Sequence, residues 1–172
     1  MAIRVGTKVP NFTVPALVNG NPDLDGISLD DYAGKWRLVF FYPLDFTFVC
    51  PTEIKELIAK ADAFKKLGVE VILASTDSPF SHKAWSKDLG DVPYPWISDL
   101  NHRVSRMFGI LVEEKGISLR GAFIINPDGV LEASIVHNLS VGRSADELLR
   151  VVAAFQTGEN CPANWKPGDK TL

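Results

Sequence analysis

Apolar and polar positions along this chain follow two periods, and the switches between them mark its elements. Arg37 to Tyr42 is apolar without a break after its first residue, which predicts a short strand buried on both faces. From Thr52 to Leu67 the apolar residues are Ile54, Leu57, Ile58, Ala61, Phe64 and Leu67, the one-sided spacing of an amphipathic helix. Gly68 suits the stop of that helix, and Val69 to Ala74 reads as a second buried strand. Pro79 to Leu89 and Asn101 to Phe108 read as helices. Gly121 to Ile125 is a third strand. The turn Asn126-Pro127-Asp128-Gly129 joins it to a fourth, Val130 to Val136, which should pair with it antiparallel. Ser144-Ala145-Asp146-Glu147 has the form of a capping box and opens a helix whose buried face is Leu148, Val151, Val152 and Phe155. Val9 to Gly34, rich in Pro, Gly, Asn and Asp, predicts short strands and turns.

Strand, helix, strand, helices, hairpin, helix is the order of a thioredoxin-like α/β fold, a central mixed sheet flanked by helices. The reading is one domain over residues 1–172, with about 157–172 as a C-terminal arm that carries Cys161 and Trp165 outside the core. An apolar share of 46% is ample for a core, and 18 basic against 21 acidic residues leave no basic stripe for nucleic acid. No run approaches a membrane span or a signal-peptide core, so the expected address is the cytoplasm. Two cysteines far apart make no disulfide framework of the secreted kind.

Candidate chemistry concentrates where the first strand runs through a proline-led turn into the long helix. Cys50 stands at the start of that helix. A helix N-terminus carries unpaired N–H groups and partial positive charge, and a thiol there ionises more easily to the nucleophilic thiolate. A cysteine after Phe-Val is otherwise a small buried hydrophobe. Three neighbours favour the reactive reading: Pro51 fits the first helical turn, Thr47 can place a hydroxyl beside the sulfur, and Pro43 fixes the turn and can wall off a pocket.

Pro43-x-x-x-Thr47-x-x-Cys50, within Tyr42 to Glu53, resembles the active-site signature of the typical 2-Cys peroxiredoxins, the group that includes the peroxidase component of alkyl hydroperoxide reductase. Leu119-Arg120-Gly121-Ala122-Phe123-Ile124-Ile125 resembles the arginine strand of that family. Val141-Gly142-Arg143-Ser144 and Cys161-Pro162-Ala163-Asn164-Trp165-Lys166-Pro167-Gly168 resemble its last two blocks. The resemblance covers essentially the whole chain. It implies a thiol peroxidase without cofactor or metal, in which Cys50 is the peroxidatic cysteine and becomes a sulfenic acid. Thr47 and Arg120 would bind the peroxide, Pro43 would shield the pocket, and Glu53 and Arg143 would brace the site from behind. Cys161 would be the resolving cysteine, forming an interchain disulfide with Cys50. Thioredoxin or an AhpF-type flavoprotein disulfide reductase would restore the thiols, and the assembly would be a homodimer closed into a ring of dimers, a decamer.

The chemistry is consistent with those residue types. At an ordinary pKa near 8.5 only a few per cent of a thiol is ionised at neutral pH. Lowering such a pKa to about 6 raises the thiolate population only about 30-fold, while nucleophilicity falls. Most of the acceleration must come from aligning the O–O bond with sulfur and stabilising the departing oxygen. A rotatable hydroxyl and a fixed fork of donors suit that task. A sulfenic acid condenses with a thiol, but disulfide geometry needs Cα atoms within about 7 Å, so the first turn around Cys50 is expected to unwind.

Other readings are weaker. Cys50-Pro51-Thr52-Glu53 lacks the second cysteine of a dithiol motif. The cysteines with His82, His102 and His137 lack zinc-ligand spacing. A cysteine–histidine hydrolase stays open on sequence alone, although each histidine reads as a surface or interface residue. A redox-regulated holdase and a redox-signalling module are the alternative functions. Peroxide-sensitive family members carry a Gly-Gly-Leu-Gly loop and a C-terminal Tyr-Phe extension. This sequence has Lys87-Asp88-Leu89-Gly90 and closes soon after its Lys-Pro-Gly block, so a peroxide-resistant enzyme is expected. Asp45, Phe46, Ser78, Pro79 and Phe80 match the ring-forming surface, with Pro79 and His137 as less usual choices.

Overall fold

A computed structural model of the chain describes residues 2–172. Its strands are β1 (Thr13–Val18), β2 (Asn21–Ser28), β3 (Trp36–Phe41), β4 (Val69–Ser75), β5 (Trp96–Ser98), β6 (Leu111–Val112), β7 (Ile117–Ser118), β8 (Arg120–Ile125) and β9 (Leu131–His137). Seven of them form one sheet in the order β2-β1-β5-β4-β3-β8-β9, and β6 with β7 makes a small separate hairpin. β3, β4 and β5 run parallel, whereas β8 lies antiparallel to both β3 and β9. The helices are α1 (Cys50–Ala59), α2 (Ala61–Lys66), α3 (Pro79–Leu89), α4 (Arg103–Met107) and α5 (Ala145–Gln156).

The central strands are apolar on both faces because both faces are covered. Leu38, Phe40 and Tyr42 point into one layer with Ile54, Leu57, Leu148 and Val152. Val39 and Phe41 point into the other with Val104, Phe108 and Phe123. This is the expected thioredoxin-like mixed sheet flanked by helices. Cys50 follows the end of β3, on the side where the parallel strands present their carboxyl ends, the usual place for a site in such sheets.

Four expectations need correction. The helix read over Thr52 to Leu67 is two helices broken at Lys60. The Tyr94 hydroxyl donates to the Leu57 carbonyl at 2.5 Å, taking the acceptor that a continuous helix would offer to Ala61. The helix read over Asn101 to Phe108 begins only after His102, which is left-handed at φ 58°. The Asp99 carboxylate takes the N–H groups of Val104 and Ser105. Ser144 caps α5 through the Glu147 N–H, but the Glu147 carboxylate pairs with Arg150 instead of closing the box. Phe155 is exposed on the last turn of α5, not buried.

The C-terminal segment is more firmly held than an arm. Trp165 is only 5% exposed; its carbonyl accepts from Arg150 at 3.0 Å, and its indole N–H donates to the Asp169 carbonyl at 3.1 Å. Among the described residues, no helix is long and apolar enough to cross a membrane.

Candidate active site

Three segments distant in sequence, 42–53, Arg120 and 139–143, converge on Cys50. β3 ends at Phe41, and Tyr42 and Pro43, both buried, lead into the turn. α1 then begins at Cys50 itself, two residues earlier than the apolar spacing suggests, with Pro51 in its first turn. Cys50 is fully buried and free. The Thr47 hydroxyl lies 2.9 Å from its sulfur, and Arg120 Nη1, from the first residue of β8, lies 3.4 Å from it. Thr47 Oγ1 is also 2.9 Å from the Leu44 carbonyl. One hydroxyl proton cannot serve both acceptors, so it turns to the sulfur when the sulfur carries charge.

Glu53, one turn into α1 and 3% exposed, ties the site together. Its carboxylate accepts from Arg120 Nη1 at 2.7 Å, from Arg143 Nε at 2.9 Å and Nη2 at 3.1 Å, and from the Arg143 backbone N–H at 2.8 Å. Arg120 Nε donates in addition to the Leu139 carbonyl at 2.7 Å. Arg143 lies with its guanidinium carbon 3.5 Å from the centre of the Phe40 ring, and its Nη1 has no hydrogen-bond partner. Burial lowers the Arg143 pKa and the Glu53 carboxylate opposes that shift. Two guanidiniums against one carboxylate leave one positive charge for the sulfur or for an oxygen leaving it. The structure therefore brings together Cys50, Thr47, Arg120, Glu53 and Arg143, with Pro43 buried in the turn that leads to them.

Cys161 lies elsewhere. Its sulfur is 3.4 Å from Thr157 Oγ1 and 3.6 Å from the Ala154 carbonyl, at the far end of α5. Arg143 stands just before that helix, and at 1.5 Å per residue Ala154 is roughly 16 Å further along it. That is well beyond the reach of a disulfide within one folded chain.

A second buried network holds the turn before Cys50, and its partners were not evident from sequence. The Asp45 carboxylate accepts from the Tyr42 hydroxyl at 2.5 Å and from Ser81 Oγ at 2.7 Å, and pairs with His82 Nδ1 at 2.9 Å. The Trp96 indole N–H donates to Tyr42 Oη at 2.5 Å, and the Trp96 ring stacks on His82. The Asp45 N–H donates to Asp77. Burial, reinforced by Asp45, pushes the Tyr42 hydroxyl well above its ordinary pKa and raises Asp77 as well. His82 is thus fully buried, a correction to its reading as a surface or interface residue. The signal was available: Pro79, His82, Trp85 and Leu89 share the buried face of α3. Asp45 and Pro79, matched to a ring surface, are also buried, whereas Phe46 and Phe80 are exposed.

Residues 5–134 match the AhpC/TSA family, and residues 153–172 match the C-terminal domain of 1-Cys peroxiredoxin. A thioredoxin peroxidase of Echinococcus granulosus is 49% identical over 100% of this chain and 93% of its own length. The putative peroxiredoxin YkuU of Bacillus subtilis is 47% identical over 98% of this chain and 97% of its own. Among solved structures, the reduced 2-Cys peroxiredoxin of Plasmodium vivax superposes with a TM-score of 0.91 at 36% identity, covering 97% of this chain and 91% of that one.

Proposed function

The chain belongs to the AhpC/TSA family and, as a peroxiredoxin, is a peroxidase oxidoreductase; on that premise we propose that Cys50 reduces hydrogen peroxide and organic hydroperoxides through a sulfenic acid resolved by Cys161 of a second protomer. The Cys50 thiolate attacks the nearer peroxide oxygen and the O–O bond breaks. The far oxygen leaves with the electron pair and is protonated to water or alcohol, and sulfur keeps the near oxygen as S–OH. Arg120 and Thr47 orient the peroxide and stabilise the leaving charge, Pro43 walls the pocket, and Glu53 and Arg143 hold Arg120 in place. The observation that carries this reading is the convergence of Thr47 Oγ1, at 2.9 Å, and Arg120 Nη1, at 3.4 Å, on one buried sulfur.

Residues 48–52 then unwind, and Cys161 of the partner closes the disulfide. The length of α5 between the two cysteines supports an interchain bond. Thioredoxin or an AhpF-type flavoprotein reductase reopens it. The working unit is a homodimer, with the exposed Phe46 and Phe80 supporting a ring of dimers.

The test is one equivalent of hydrogen peroxide on reduced protein, followed by a non-reducing gel and intact mass, beside Cys50→Ser and Cys161→Ser. A covalent dimer that vanishes in both variants is expected. An oxidised monomer would move resolution within one chain, and an unreactive Cys50 would overturn the peroxidase assignment of that residue.

A further inference from the structure

The most exposed large apolar side chain of the described residues lies beside the catalytic cysteine. Phe48 is 93% exposed, two residues before a sulfur that is fully buried. At the other end of α5, Cys161 opens into a cavity of about 580 Å³ whose walls include Val151, Ala154, Phe155 and Pro162. A benzene ring fills a cavity of roughly 150 Å³, so the space admits a phenylalanine side chain. The chain's own Phe48 adjoins Val49, which lies against Gly142 just before α5, whereas the cavity stands at the far end of that helix, roughly 16 Å along it from Arg143. The occupant is therefore a second copy of this chain.

We propose that Phe48 of one protomer seats in the Cys161 cavity of its partner during resolution, and that this contact delivers the oxidised Cys50 to the resolving thiol. The inference rests on the assignment of Cys161 made above. Two residues of extended chain span at most about 7 Å, which is also the limit of Cα separation across a disulfide. Anchoring Phe48 beside Cys161 thus keeps Cys50 within two residues' reach of the resolving thiol once its helical turn has unwound, so that disulfide geometry is sampled often. The Cys161 sulfur attacks the sulfenic sulfur, the S–O bond breaks as the S–S bond forms, and the oxygen leaves as hydroxide that takes up the thiol proton. The step yields one disulfide and one water and needs no further oxidant. Phe48 touches no reacting atom; it is a positioning residue.

The test separates the two halves of the cycle. Reduced protein is pulsed with hydrogen peroxide, quenched with an alkylating agent over time, and read by intact mass for sulfenic acid, disulfide and sulfinate. Phe48→Ala is expected to slow disulfide formation about tenfold, equivalent to about 1.4 kcal/mol, and to raise the sulfinate fraction. Phe48→Leu should restore most of the rate. Filling the cavity with Ala154→Phe should slow disulfide formation as Phe48→Ala does. Disulfide formation within twofold of the parent in both Phe48→Ala and Ala154→Phe would overturn the proposal. So would dissociation of Phe48→Ala to monomers in sedimentation, which would place Phe48 in the resting interface. Cys161→Ser distinguishes the two levels: if its sulfenic acid is still consumed at the parent rate to a disulfide, which could then join only two Cys50 sulfurs, the resolving assignment itself has failed. If it stops at sulfenic acid while Phe48→Ala resolves at the parent rate, only the docking is refuted.

Discussion

Glu53→Gln sets two effects of one carboxylate against each other. Glu53 and the Cys50 sulfur both contact Arg120 Nη1, at 2.7 Å and 3.4 Å, so the carboxylate lies within about 6 Å of the sulfur. At an effective dielectric of 20, a negative charge on sulfur and the carboxylate at that separation repel by about 2.8 kcal/mol. Removing the charge would therefore favour an anionic sulfur if nothing moved. Against that, Gln offers one acceptor oxygen where Glu53 receives four hydrogen bonds, and its NH2 group must face a guanidinium donor. Arg120 and Arg143, both buried, lose the charge that compensates them. Breaking a buried pair from one side costs about 3–5 kcal/mol, or roughly 6–20 °C in melting temperature for a domain of this size. A misplacement of about 1 Å costs on the order of 10² in rate. Positioning should win for peroxide and lose for a reagent that needs no alignment. The second-order rate of peroxide reduction is expected to fall about 100-fold, while alkylation of Cys50 by iodoacetamide, in a Cys161→Ser background, holds or rises. A variant that kept its melting temperature within 2 °C and its peroxide rate within threefold would refute the account of Glu53 as the clamp of both arginines.

Thr47→Val keeps the shape and removes the hydroxyl 2.9 Å from the sulfur; the peroxide rate should fall about 10²–10³-fold, as for loss of one oxyanion donor, and Thr47→Ser should recover most of it in stopped-flow assays. Burial pushes Tyr94 up to about 12 from an unfolded value near 10. Its protonated form is thus favoured by folding, so this contribution is complete below pH 10 and is lost as pH climbs through 12; denaturant titrations should show stability falling over that window, and Tyr94→Phe should flatten the fall. Trp165→Ala removes a buried anchor, at about 3–5 kcal/mol for such a truncation. Hydrogen exchange should speed over residues 157–172 while β3 and β4 keep their protection, because the segment packs on the outside of α5.

The parts of this fold legible in sequence are those that one local pattern decides. β3, β4 and β8 are apolar runs with one charged residue each near the start (Arg37, Glu70 and Arg120), and α3 spans Pro79–Leu89 as its spacing predicts. What sequence could not supply has long-range causes. The break at Lys60 depends on a hydroxyl from Tyr94, far along the chain. The left-handed His102 is the exception, since the capping carboxylate of Asp99 is local and only its competition with the helical spacing hid it. The burial of His82 can be read from its spacing with Trp85 and Leu89, but what satisfies it cannot: Asp45, the Ile97 carbonyl at 3.3 Å and the flat face of Trp96 all come from elsewhere in the chain. The same distinction runs through the site. Local spacing brings Thr47, Cys50 and Glu53 onto successive turns. That Arg120 and Arg143 share the carboxylate of Glu53 is a consequence of β8 lying beside β3 and of α5 starting next to it, and the motifs name those arginines without saying what joins them. Charge decides the arrangement: two guanidiniums cannot be buried side by side without an anion between them. The carboxylate that permits their burial is also what aims one of them at the sulfur.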